Sequence, residues 1–114
     1  MIGPIDHVYY WVRDMDAAVA FYTDVVGLAL ARRSGNEWAE FEAGPVRLGL
    51  HGSEQPQVGG GTAVFRVQDL DAARWQVQER GGVFDDHVGE VEGFARFATF
   101  RDPDGNALQL IEYV

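Results

Sequence analysis

The feature that most constrains this chain is an internal repeat, in which Val12-Arg13-Asp14-Met15-Asp16-Ala17-Ala18 returns as Val67-Gln68-Asp69-Leu70-Asp71-Ala72-Ala73. Five of the seven positions are identical at a constant offset of 55 residues, and the same offset carries Gly27 onto Gly82. Self-similarity at a fixed spacing means one structural unit used twice, so any fold for these 114 residues is a tandem of two similar modules. A residue proposed for a site in one module then has a counterpart 55 positions away.

Absent residue types narrow the chemistry. The chain has no cysteine and no lysine, which removes thiolate nucleophiles, thiolate metal ligands and Schiff-base chemistry. Its serines, Ser34 and Ser53, lie in turn-like sequence with no triad partners, so covalent catalysis is not expected. A formal net charge of -9 lacks the basic footprint that nucleic acid requires, and leaves room for a cationic ligand. No basic segment leads into an apolar one at the N-terminus and no apolar run reaches membrane-spanning length, so a cytoplasmic protein without membrane contact is expected.

Each module reads as β-α-β-β-β. Residues 5–12 alternate with period two, placing His7, Tyr9 and Trp11 on one face and Val8, Tyr10 and Val12 on the other. Asp14 then caps a helix whose stripe is Met15, Ala18, Val19, Tyr22 and Val26, closed by Gly27. Three strands follow over 28–33, 37–42 and 46–51, and Gly52 to Gly61 reads as a linker. Within it the run Gly59-Gly60-Gly61 lacks the setting of a phosphate loop. The second module, 62–114, repeats the order: a strand over 62–67, a helix capped by Asp69, and strands over 83–88, 94–100 and 107–114. Asp102-Pro103-Asp104-Gly105 reads as a tight turn, Asp85-Asp86-His87 as a solvated edge, and Gly89 to Gly93 as a mobile loop over a pocket mouth. Trp75 falls off the inward stripe of its helix, as a rim residue or a subunit contact would.

Two such modules, Ala20-Phe21-Tyr22 in an aspartate-led first helix ending in Gly27-Leu28, and Asp102-Pro103-Asp104-Gly105 before a final strand together resemble the vicinal oxygen chelate superfamily of glyoxalases, bleomycin-resistance proteins and dioxygenases. The resemblance implies an α+β fold of two tandem βαβββ modules forming a curved mixed-sheet cup with helices outside, commonly as a homodimer. It also implies that metal-using members take ligands, typically histidine or glutamate, from the first and last strands of each module. Carried onto this sequence residue by residue, those positions are His7, Thr62, Gln109 and, counting from Gly44 as from Gly105, Leu48.

That quartet has too little ligand character for a divalent transition metal. A small-molecule pocket is expected in its place, lined by His7, Tyr9, Trp11, Trp38, Leu48, Thr62, Arg66, Phe100 and Gln109, with surplus aromatic surface suited to a flat ligand. Three functions follow. The first is a metal-independent, bleomycin-resistance-like binder that sequesters an aromatic or antibiotic-like compound. The second is a divalent-metal lyase, isomerase, epimerase or dioxygenase of the same superfamily. The third is a metal-free enzyme with His7, aided by Tyr9, as general acid or base.

Overall fold

The computed structural model describes residues 6–56 and 60–114; Ile5 of the first expected strand and residues 57–59 of the expected linker lie outside the described residues. The chain divides into two compact units, Met1–Val58 and Gly59–Val114. Among the described residues no helix is long and apolar enough to cross a membrane.

The first unit runs β1 (His7–Val12), α1 (Met15–Ala20) continued by a π-helical turn (Phe21–Val25), β2 (Ala29–Ser34), β3 (Trp38–Ala43) and β4 (Val46–Gly52). Its sheet has the order β1-β4-β3-β2, with β1 parallel to β4 and the other pairs antiparallel. The second unit runs β5 (Thr62–Arg66), α2 (Leu70–Glu79), β6 (Phe84–Val91), β7 (Ala95–Arg101) and β8 (Ala107–Tyr113), in the order β5-β8-β7-β6. Each unit is therefore the βαβββ module expected from the sequence, and the fold class is α+β.

The repeated aspartates explain why the motif recurs. The first of each pair caps its helix: Asp14 accepts from Ala17 N–H and Asp69 from Ala72 N–H, both at 3.1 Å. The second, in the first helical turn, meets an arginine from the sheet below. Asp16 pairs with Arg33 at 2.6 Å, and Asp71 with Arg96 at 3.3 Å. Being exposed on the aspartate side, these ion pairs add little to stability. Gly27 ends the first helix at φ 88°, a left-handed conformation that favours glycine. The helix differs from the regular one expected in that Val26 N–H bonds Phe21 C=O, an i to i−5 bond, while the Thr23 hydroxyl donates back to Val19 C=O at 2.9 Å.

Each helix covers one face of its own sheet, and the alternation along each strand decides what is buried there. Tyr10, Val12, Phe41, Leu48 and Leu50 pack under Met15, Ala18 and Tyr22. In the second unit Phe84, Ala98, Phe100, Leu108 and Leu110 pack with Leu70 and Val77. Asp102 is also buried, with Oδ1 accepting from the N–H of Asp104 and Asn106, and Oδ2 from the Asn106 side chain. The Asp102–Gly105 turn thus closes over a satisfied carboxylate.

Two expectations are corrected. The glycine-bounded stretch 89–93 is not a loop throughout: β6 continues to Val91, with Gly89 opposite Phe97 and Val91 opposite Ala95. Gly89 is a strand glycine because the Phe97 ring occupies the space a Cβ would take. The other correction concerns Leu48 and Phe100, 2% and 0% exposed, which lie on the helix-covered faces and not on the open ones. Asp14→Ala or Asp69→Ala is expected to cost about 1 kcal/mol, read as a lowered denaturant midpoint at constant slope; no change would contradict the capping role.

Candidate functional site

The face of the first sheet turned away from α1 carries a dense group of aromatic and ionisable side chains. His7, Tyr9 and Trp11 share it along β1, and the pairings His7 with Arg47, Tyr9 with Gly49 and Trp11 with His51 add the β4 residues. From β3, Trp38 stands opposite His51, Glu40 opposite Gly49 and Glu42 opposite Arg47. The sequence placed His7, Tyr9, Trp11 and Trp38 in a site, and the structure brings these four together.

Trp38 is the hub of this face. Its ring lies edge-on to His7 (5.4 Å between centroids, 81°), Tyr9 (5.9 Å, 64°) and His51 (6.0 Å, 85°). Tyr9 and Trp11 meet edge-on at 5.5 Å, and Trp11 lies 4.3 Å from His51. Edge-to-face contacts of this kind contribute roughly 0.5–1.5 kcal/mol each beyond area burial, so three of them hold the indole firmly. The ring also needs room beneath it, and Gly49 provides that room. A Cβ at Gly49 would sit 2.5 Å from Trp38 Cη2 and 3.2 Å from Tyr9 Cβ. Tyr9 remains 46% exposed, so the cluster presents aromatic surface that its own unit does not bury.

A carboxylate unremarked in the sequence ties the group together. Glu40 Oε2 accepts from the Trp38 indole N–H at 2.8 Å, and Oε1 accepts from Arg47 at 3.1 Å. Arg32 approaches Oε2 at 3.5 Å, and Arg47 also reaches Glu42 at 3.5 Å. The indole N–H first, and the Arg47 guanidinium second, hold the Glu40 carboxyl below the ordinary value of 4.5. His7 has its own acid: Nδ1 is 2.8 Å from Asp6 Oδ2, and the tautomer that donates Nδ1–H there leaves Nε2 as an acceptor.

In the second unit the open face carries Thr62, Val64 and Arg66 from β5, with Ala107, Gln109 and Ile111 of β8 opposite them. Gln109 Nε2 donates to Thr99 Oγ1 at 3.2 Å. Arg66 lies over the Tyr113 ring, 4.9 Å from its centroid, and the two line an open depression of about 360 Å³ with Val67 and Gln68. Trp75 is 62% exposed on α2, apart from this face.

The strand registers correct the ligand quartet. His7 pairs with Arg47 and Thr62 with Ala107, so the counterpart of Gln109, two residues along its strand, is Gly49. Counting from the turn glycines gave Leu48 because the turns differ in length. Ala43 pairs with Val46 across two residues, whereas Arg101 pairs with Ala107 across five. A slip of one residue reverses the face.

The superfamily's metal chemistry can be tested against these residues. Gly49 offers no donor and its side-chain space belongs to Trp38, Thr62 offers a neutral hydroxyl, and Gln109 offers an amide engaged by Thr99. His7 is the one strong ligand among the four. Such a set does not fit a divalent transition metal, which requires several imidazole or carboxylate donors. Among the described residues, no three His, Asp or Glu side chains gather elsewhere.

The sequence model of the Glyoxalase/Bleomycin resistance protein/Dioxygenase superfamily matches residues 4–110, and this chain belongs to that superfamily. It is 28% identical over 121 residues to the lactoylglutathione lyase of Salmonella typhimurium, covering 93% of this chain and 90% of that one. It is also 28% identical over 125 residues to a Vibrio parahaemolyticus protein named a probable lactoylglutathione lyase, covering 96% and 91%. Among solved structures, a lactoylglutathione lyase from Agrobacterium tumefaciens aligns with TM-score 0.82 at 23% identity, covering 97% of this chain and 94% of that one. A glyoxalase/bleomycin resistance protein/dioxygenase from Nocardioides aligns with TM-score 0.82 at 22% identity, covering 100% and 85%. At these identities the structural likeness establishes the fold alone.

The Glu40 arrangement predicts a pH dependence. A carboxyl whose folded pKa is depressed stabilises the fold above its unfolded value and loses that contribution as pH falls through the folded one. Glu40→Gln is therefore expected to be less stable than wild type at pH 7, with the gap closing as pH falls below 4.5. A gap independent of pH in thermal melts would contradict the assignment.

Proposed function

We propose that this protein binds a flat aromatic small molecule on the face of the first sheet formed by Tyr9, Trp11, Trp38 and His51, without a metal ion. The observation that carries this reading is the exchange at Gly49. Where the superfamily's metal-using members supply a ligand side chain, this chain has a glycine with the Trp38 indole laid across it. An aromatic surface with fixed ring orientations stacks planar compounds at little entropic cost, because its rings lose no freedom on binding. The charged groups around it are paired among themselves, Asp6 with His7 and Arg32 and Arg47 with Glu40 and Glu42, so neutral or cationic aromatics suit it better than anions. Sequestration of an antibiotic-like aromatic, as the bleomycin-resistance name of the superfamily describes for other members, is the biological form of this reading.

A second reading is supported by the names of the relatives. Two proteins 28% identical over nearly their whole length are called lactoylglutathione lyases or probable ones, which makes a metal-assisted lyase the competing function. A third role, His7 as a metal-free acid or base, is supported by its contact with Asp6, which orients the ring and leaves Nε2 to accept a proton.

Titration with 9-aminoacridine and 2-naphthol, followed by tryptophan fluorescence, separates the first two. Saturable quenching unaffected by EDTA is expected, weakened about tenfold or more in Tyr9→Ala and Trp38→Ala, the scale of losing a stacked ring at roughly 1.5 kcal/mol. Lactoylglutathione lyase activity appearing with added nickel or zinc, and no quenching by either probe, would replace the binder with the lyase.

A further inference from the structure

We infer that Glu40 is a positioning residue for the aromatic surface: by accepting the Trp38 indole N–H it fixes the ring across Gly49, and so sets which ligands the face admits. The inference rests on the reading of that face as the ligand site. The geometry is specific. Trp38 and Glu40 are two residues apart on β3 and share a face, and the bond between them measures 2.8 Å. The indole has no other function for its N–H, which donates only, so the bond selects one of the two ways the flat ring can lie.

The carboxylate is itself braced. Arg47 on β4 and Arg32 on β2 approach it from the strands on either side of β3, which discourages it from swinging to solvent. Only 16% of the Glu40 side chain is exposed, against 64% for Arg32 and 45% for Arg47. The arginines therefore stand at the rim, with the acid beneath them. The consequence is a chain of orientation running from two rim arginines through Glu40 to Trp38, and from Trp38 to the rings of His7, Tyr9 and His51 that it meets edge-on. No ligand needs to touch Glu40 for its loss to alter binding.

Two substitutions separate the hydrogen bond from the charge. Glu40→Gln keeps an amide oxygen for the indole N–H, and Arg47 retains Glu42 at 3.5 Å as its partner. Glu40→Ala removes both. In a Trp11→Phe, Trp75→Phe background, where Trp38 is the sole tryptophan, Glu40→Ala is expected to shift the Trp38 emission to the red and to raise its acrylamide quenching about twofold, while Glu40→Gln stays close to the parent. With the native tryptophans present, 9-aminoacridine affinity is expected to fall about tenfold in Glu40→Ala, with Glu40→Gln within about threefold of wild type, as one charge-assisted hydrogen bond would give. Unchanged emission and quenching in Glu40→Ala, or equal effects of the two substitutions, would overturn the positioning role. Absence of 9-aminoacridine binding by the wild type would overturn the ligand reading, and the Trp38 emission would still decide the role of Glu40.

Discussion

The pairing of the first strand of each unit with its last is the constraint on which the rest depends. β1 lies parallel to β4, and β5 to β8, in fixed registers. Because side chains alternate at every residue, each register assigns half of the strand residues to the helix and half to the opposite face. The helix takes Tyr10, Val12, Leu48 and Leu50, and this buried set gives the register its energy. The open face is what the same pairing leaves over: His7, Tyr9 and Trp11 beside Arg47, Gly49 and His51. Core and site are two consequences of one alignment.

Much of this was legible in the sequence, for reasons that can be named. The 55-residue offset marked two modules, and the aspartates leading each helix were visible as caps because capping depends on residues close in sequence. The faces of β1 were legible too, since alternation within a single strand needs no partner. Leu48 was misplaced because its face was counted from a turn, and the two-residue turn before β4 is shorter than the five-residue turn before β8. Phe100 was misplaced for a related reason: an aromatic residue in a strand has no face until its neighbour is known, and its partner Leu108 is buried. Glu40 was missed although Trp38, Glu40 and Glu42 alternate in plain view. Its role arises from Arg32 and Arg47, which strand pairing alone brings beside it.

The chemistry of the site follows from a substitution of one kind of group for another. A metal centre on this scaffold needs strong donors on the first and last strands, and this chain has a glycine on β4 and neutral groups on β5 and β8 at those positions. The volume is used by an indole, whose N–H donates to a carboxylate two residues along β3 and whose ring meets three others edge-on. Superfamily membership explains the scaffold, and the site residues carry the argument about function. The relatives called lactoylglutathione lyases are 28% identical to this chain, a distance at which a shared fold does not by itself carry a shared ligand set.

The most direct measurement of the central claim is a two-dimensional proton–nitrogen NMR titration with 9-aminoacridine in the presence of EDTA. The three tryptophans, Trp11, Trp38 and Trp75, supply three indole N–H groups to follow. The account predicts that the Trp11 and Trp38 signals and the Gly49 amide shift together along one saturable curve, while Trp75, exposed on its helix, does not. Shifts confined to Trp75, or shifts of Trp38 that appear only after a divalent metal is supplied, would contradict it.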